Sequence, residues 1–114
     1  MFTLMIMYVV SGLVLSGLAL PLMAGKIAPN GMYGFRVKAT LENPQVWYAV
    51  NKYAGLRLLV AGILTILSAV GFYFIPGLSL DTYALACLGV FAIVLIFGLV
   101  QSVIYLRSLK LREH

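Results

Sequence analysis

LRLLVAGILTILSAVGFYFI, residues 56–75, is a twenty-residue run with a single charge, Arg57, at its very start. A bilayer core takes about 20 apolar residues of helix, at ~1.5 Å rise each, to cross. Two comparable runs flank it, over about residues 2–24 and 82–106. Together they leave the 114-residue chain 63% hydrophobic and only 10% charged. Soluble domains run near ~45–50% apolar and ~25% charged, and a core of this size could not hide the excess from water. A closed barrel would show alternating segments of about ten residues, which these runs lack. The expectation is an all-α integral membrane protein. It has three transmembrane helices in one domain, residues 1–114, joined between the first and second by a polar segment, residues 25–55.

The first run reads as a retained helix. No Lys or Arg precedes it, it exceeds the ~7–15 residues of a signal-peptide core, and Leu22-Met23-Ala24 makes a poor cleavage site. Basic residues then orient the chain. Lys26, Arg36, Lys38, Lys52 and Arg57 fill or flank the first connection, and Arg107, Lys110 and Arg112 the C-terminal tail. The second connection, around Pro76 to Asp81, has none. The positive-inside rule places the first connection and the tail in the cytoplasm and the N-terminus outside, in a cell membrane.

Inside the spans the sequence speaks of packing. Gly12 and Ser16, Ala61, Thr65 and Ala69, and Gly89 and Ala92 are small residues at helical spacing, which let backbones approach in lipid. Cys87, the single cysteine, reads as a small packing residue. Gln101 and Ser102 suggest an interhelical hydrogen bond near the third span's end. No Asp, Glu, Lys, Arg or His lies deep in a span, whereas ion-coupled carriers keep an ionisable group at that depth. One histidine, at the C-terminus, excludes histidine-based catalysis or a multi-histidine metal site, and Glu42 has no partner carboxylate. Nothing here signals an enzyme, a cofactor or a nucleic-acid partner.

The polar connection is the informative part. PNGMYGFRVKAT, residues 29–40, opens with turn residues. Asn43 and Pro44 then read as the N-cap and first residue of a helix. That helix, expected over residues 43–54, carries Trp47, Val50 and Ala54 on one face, with Gln45, Tyr48 and Lys52 elsewhere. Gly55 either bends it into the second span or leaves the two continuous. An amphipathic interfacial helix, with aromatics and basic residues at the headgroups, accounts for the composition. It leaves Asn30, Thr40, Asn43 and Asn51 unexplained, and these suit a folded loop hydrogen-bonded around Arg36.

Asn30, Tyr33-Gly34-Phe35-Arg36, Thr40, Asn43, Trp47, Asn51-Lys52 and Ala54-Gly55 together resemble the signature of the SdpI family, over about 26 continuous residues. Val37 stands where that pattern often has Thr or Leu. The resemblance is to a short form matching the C-terminal half of the founding protein. It implies an immunity function, protecting a producer cell from a secreted membrane-active peptide, and a functional motif formed by Asn30, Tyr33, Gly34, Arg36, Thr40, Asn43, Trp47, Asn51, Lys52 and Gly55. The partners it implies are the peptide toxin, a cytoplasmic regulator, membrane lipids and a second copy of the chain. The alternatives are a small oligomeric transporter or channel, a holin-like pore former, and a membrane enzyme using Arg36, Asn43 and Asn51 on headgroup phosphate.

Overall fold

A computed structural model describes residues 1–28 and 42–113 of the chain. It contains three long helices: α1, Phe2–Met23; α2, Pro44–Tyr73; and α3, Leu80–Glu113. All three are long and apolar enough to cross a membrane. No strand is present among the described residues. The protein is an all-α, multi-pass membrane protein.

Helix α2 is the spine of the bundle, and both other helices pack against it. The α1–α2 seam is built from small residues. A Cβ added to Gly12 would stand 2.6 Å from the Gly62 carbonyl oxygen, and one on Gly62 would stand 2.7 Å from that of Gly12. Two turns along, a Cβ on Gly55 would come within 3.1 Å of the Ala19 carbonyl. Gly12 and Ala19 on α1, and Gly55, Gly62 and Ala69 on α2, repeat every seven residues. That period keeps a seam facing its partner in left-handed helix pairs. Because lipid is as apolar as leucine, the gain here comes from close contact and not from expelling water.

At the end of the bundle where α1 begins, all three helices converge. Ala69, Tyr83 and Cys87 are fully buried together, with Tyr8, Val9 and Tyr73 packed around them. Tyr83 donates its hydroxyl to the Ala69 carbonyl at 2.7 Å, tying α3 to α2. Tyr8 donates to the Ala84 carbonyl at 3.1 Å, tying α1 to α3. Cys87 is the small packing residue its neighbours suggest.

The helix ends are set locally. Gly25 adopts a left-handed φ of 70°, and the Lys26 and Gly25 amides donate to the Pro21 and Leu22 carbonyls. This pair of bonds is a Schellman motif, which stops α1 and satisfies its last carbonyls. At the far turn Gly77 has φ 78°, and Ser79 Oγ accepts from the Thr82 amide at 3.2 Å to start α3. Hydroxyls inside the helices bond their own backbones: Ser16 to Gly12, Thr65 to Ala61 and Ser102 to Gly98. Each polar group is thereby satisfied where lipid offers no partner. The outward faces carry Leu13, Leu67, Leu85, Ile93 and Phe97, all exposed, as lipid contact requires.

Of the two readings of Gly55 the continuous one holds, and two other expectations change. The helix beginning at Pro44 does not end near Gly55 but runs unbroken to Tyr73. Gly55 is a packing residue within it. In α3 the close-approach residue is Gly98, because a Cβ on Gly89 would meet nothing within 4 Å. Ser102 bonds its own helix instead of a neighbour.

Candidate functional site

The first three turns of α2 are organised by the connecting segment's own residues. Asn43 caps the helix, its side-chain oxygen accepting from the Gln45 amide at 3.0 Å and the Val46 amide at 3.4 Å. Pro44 follows at the first helical position, where its missing N–H costs nothing. From there two buried faces diverge. Val46 and Val50 pack against Leu106, with Tyr105 and Leu109 alongside, and so bind α2 to α3.

Trp47, Asn51 and Gly55, spaced four apart, form the other face. Trp47 is fully buried, and its indole N–H donates to the Ile27 carbonyl at 2.8 Å. Asn51 is 2% exposed and donates its amide to the Trp47 carbonyl at 3.0 Å. Gly55 admits Ala19, Leu22 and Met23 of α1. The three residues thus seat the end of α1 and the chain that leaves it. One face of the segment is thus buried in the bundle, while Gln45, Tyr48 and Lys52 are exposed on the other. Asn30, Tyr33, Gly34, Arg36 and Thr40 lie outside the described residues.

Two residues beyond Gly55 on α2 lies Arg57. In the sequence it flanks the connection, yet it is the fourteenth residue of the helix. Gly55 faces Ala19 and Gly62 faces Gly12, so the Arg57 backbone is level with about Gly17. That is roughly 9 Å inside the end of α1 at ~1.5 Å per residue. Helical side chains lean toward their helix's N-terminus, which returns the guanidinium toward this same end. There Nη2 donates to the Tyr53 hydroxyl at 3.2 Å, and Cζ lies 4.7 Å from the Tyr53 ring centroid. Tyr53 stacks in turn on Tyr105 of α3, with centroids 4.4 Å apart and planes 8° from parallel. The stem of Arg57 runs over Gly98, where a Cβ would stand 2.9 Å from the Arg57 Cβ.

Beside this stack α1 and α3 separate, and a cavity of about 320 Å³ opens between them over α2. Leu18 and Leu22 form one wall, Leu95 and Leu99 the other, and Asn51, Arg57 and Ser102 supply the polar atoms. The Arg57 Nε is buried with no hydrogen-bond acceptor. The Arg57, Tyr53 and Gly98 set had faint signals in the sequence. Tyr53 and Arg57 are one turn apart, and Gly98 and Ser102 are a small pair at the same spacing in the third apolar run.

The architecture defines a three-helix membrane protein whose middle helix carries a buried polar signature at one end. The SdpI/YfhL protein family model matches residues 26–105, and the chain belongs to that family. No curated protein and no solved structure gives a match. The matched region begins at the Schellman motif that ends α1 and includes the whole of α2 and most of α3.

Proposed function

We propose that this protein is a membrane protective protein of the SdpI type, which recognises a membrane-active antimicrobial peptide or signals its presence. Membership of the SdpI/YfhL family over residues 26–105 carries this reading. The burial of Trp47, Asn51 and Gly55 supports it, because the signature residues hold the base of the connection in one arrangement. A pre-ordered base for the connection lowers the entropy cost of recognising a partner. The loop faces the cytoplasm and the N-terminus the outside, a reading supported by the one-sided distribution of Lys and Arg. A cytoplasmic regulator and a second copy of the chain are partners compatible with that placement.

The test is protection. Sensitive bacterial cells expressing the chain, and cells carrying an empty vector, are challenged with a panel of membrane-active peptides. Expressing cells survive at least one peptide at concentrations that kill the control. An Asn51→Ala variant present in the membrane at equal level loses that protection. Equal killing across the whole panel would sink the reading.

A further inference from the structure

We infer that the cavity between α1 and α3 is a binding site for an anionic lipid, with the anionic oxygen on Arg57 and an acyl chain between the two leucine walls. This assignment stands apart from peptide protection and concerns residues of the apolar helices. The reasoning starts from the cost of Arg57. A guanidinium offers five N–H donors and no acceptor. Here one nitrogen reaches the Tyr53 hydroxyl, the cation rests on the Tyr53 ring, and Nε is buried without an acceptor. Among the described residues no carboxylate pairs with it. An unsatisfied charged donor in an apolar setting is costly, and an anionic oxygen is the acceptor that relieves it best.

The surroundings select the rest of the ligand. At about 320 Å³ the cavity is at the small end of the ~300–1,000 Å³ range of ligand sites. Leu18, Leu22, Leu58, Leu95 and Leu99 line it, and Leu18 and Leu99 are themselves exposed on the outside of the bundle. A site walled by leucine and open toward lipid suits a hydrocarbon chain. Asn51, Arg57 and Ser102 supply polar atoms beside these leucines. The Arg57 guanidinium, which leans back toward the end where α1 stops, suits a headgroup anion held at the edge of the hydrocarbon core. An anion with a chain engages both the Arg57 donors and the leucine walls, whereas a free anion would leave the walls unused. The shared chemistry is a phosphate or carboxylate joined to an acyl chain, supplied by an anionic phospholipid or a free fatty acid.

Native mass spectrometry of the full chain, released from mild detergent, reads this directly. The protein is equilibrated with phosphatidylglycerol, phosphatidylcholine, oleate, oleyl alcohol or inorganic phosphate. The wild type retains one phosphatidylglycerol or one oleate, with a preference on the order of tenfold over phosphatidylcholine and oleyl alcohol. Which of the two anions is retained more strongly identifies the source. Arg57→Gln abolishes the preference. Ala54→Leu, which keeps the charge and fills the cavity, lowers retention of both anions while helix content stays that of the wild type. Equal retention of charged and neutral lipids by the wild type would overturn the site. So would Ala54→Leu binding phosphatidylglycerol as the wild type does, or inorganic phosphate displacing the lipid at equal concentration.

Discussion

Arg57 and Gly98 face each other across the α2–α3 seam so closely that a Cβ on Gly98 would stand 2.9 Å from the Arg57 Cβ. The glycine lets α3 pass over the arginine stem. It also leaves room for Tyr105, two turns on, to stack on Tyr53. Gly98→Val adds a branched side chain to this contact, and α3 must move away or Arg57 must change rotamer. The expected cost is about 1–3 kcal/mol, the range for overpacked sites. Thermal unfolding in detergent, followed by circular dichroism, measures it. A Gly98→Val midpoint equal to that of the wild type would show that the helices are not in this contact.

A sharper contrast separates glycines that permit packing from those that do not. Gly62 would put a Cβ 2.6 Å from Ser16 Oγ and 2.7 Å from the Gly12 carbonyl. Gly17 and Gly89 would each meet nothing within 4 Å. Gly62→Ala therefore forces the α1 and α2 backbones apart and costs roughly 1–3 kcal/mol. Gly17→Ala and Gly89→Ala leave stability unchanged or raise it slightly, since alanine is the better helix former. Unfolding midpoints for the three variants check the ranking. Equal losses from all three would remove the seam described here.

Much of this was legible in the sequence, for definite reasons. Span count follows from run length, and the Asn43-Pro44 start of α2 from capping chemistry that acts within four residues. The burial of Cys87 and Thr65 follows from their apolar neighbours and helical spacing. What stayed hidden depended on register between helices. Gly89 and Gly98 look alike in the third run, and only the position of Arg57 on a neighbouring helix separates them. Arg57 itself was read as a boundary charge because the apolar run begins beside it. The helix in fact begins at Pro44, where Val46 and Val50 bury against Leu106, and this carries Arg57 into the bundle. For the candidate site, the face expected to hold Trp47 with Val50 splits: Val50 turns to Leu106, while Trp47 joins Asn51 and Gly55 in a seat for α1 that depends on Ile27 and Ala19.

Orientation across the membrane is open to a direct chemical test. Ser79 and Lys52 are both exposed, at opposite ends of α2, and the native Cys87 is fully buried. Cysteines placed at these two positions are therefore the reactive ones. With the basic end in the cytoplasm, Ser79→Cys is labelled by an impermeant maleimide in intact cells, and Lys52→Cys only after permeabilisation. The reverse pattern would invert the topology.

The Asn43 cap predicts a modest, specific loss. Its side-chain oxygen accepts from two amides that have no partner within the helix. Asn43→Ala removes this acceptor at a cost of about 0.5–2 kcal/mol, while Asn43→Asp and Asn43→Ser retain most of the stability. The thermal midpoints of the three variants distinguish a cap from simple loss of a surface amide. If Asn43→Ser falls as far as Asn43→Ala, the side chain's weight lies elsewhere.

Trp47 separates local order from global stability. Its ring is fully buried, and its N–H holds the Ile27 carbonyl, just after the turn that ends α1. Trp47→Phe keeps most of the buried ring and deletes the donor, leaving that carbonyl to find another partner. The expected cost is about 1–3 kcal/mol for the broken bond. Trp47→Ala also opens a cavity and costs about 3–5 kcal/mol. The loss in the phenylalanine variant should appear mainly at the start of the connection, because the helix seam at Gly12, Gly55 and Gly62 is untouched. Limited trypsin digestion in detergent reads this at Lys26, one residue before Ile27. Cleavage there should speed up in Trp47→Phe while the unfolding midpoint drops by less than in Trp47→Ala. Wild-type cleavage at Lys26 in Trp47→Phe would show that the indole fills space without holding the chain.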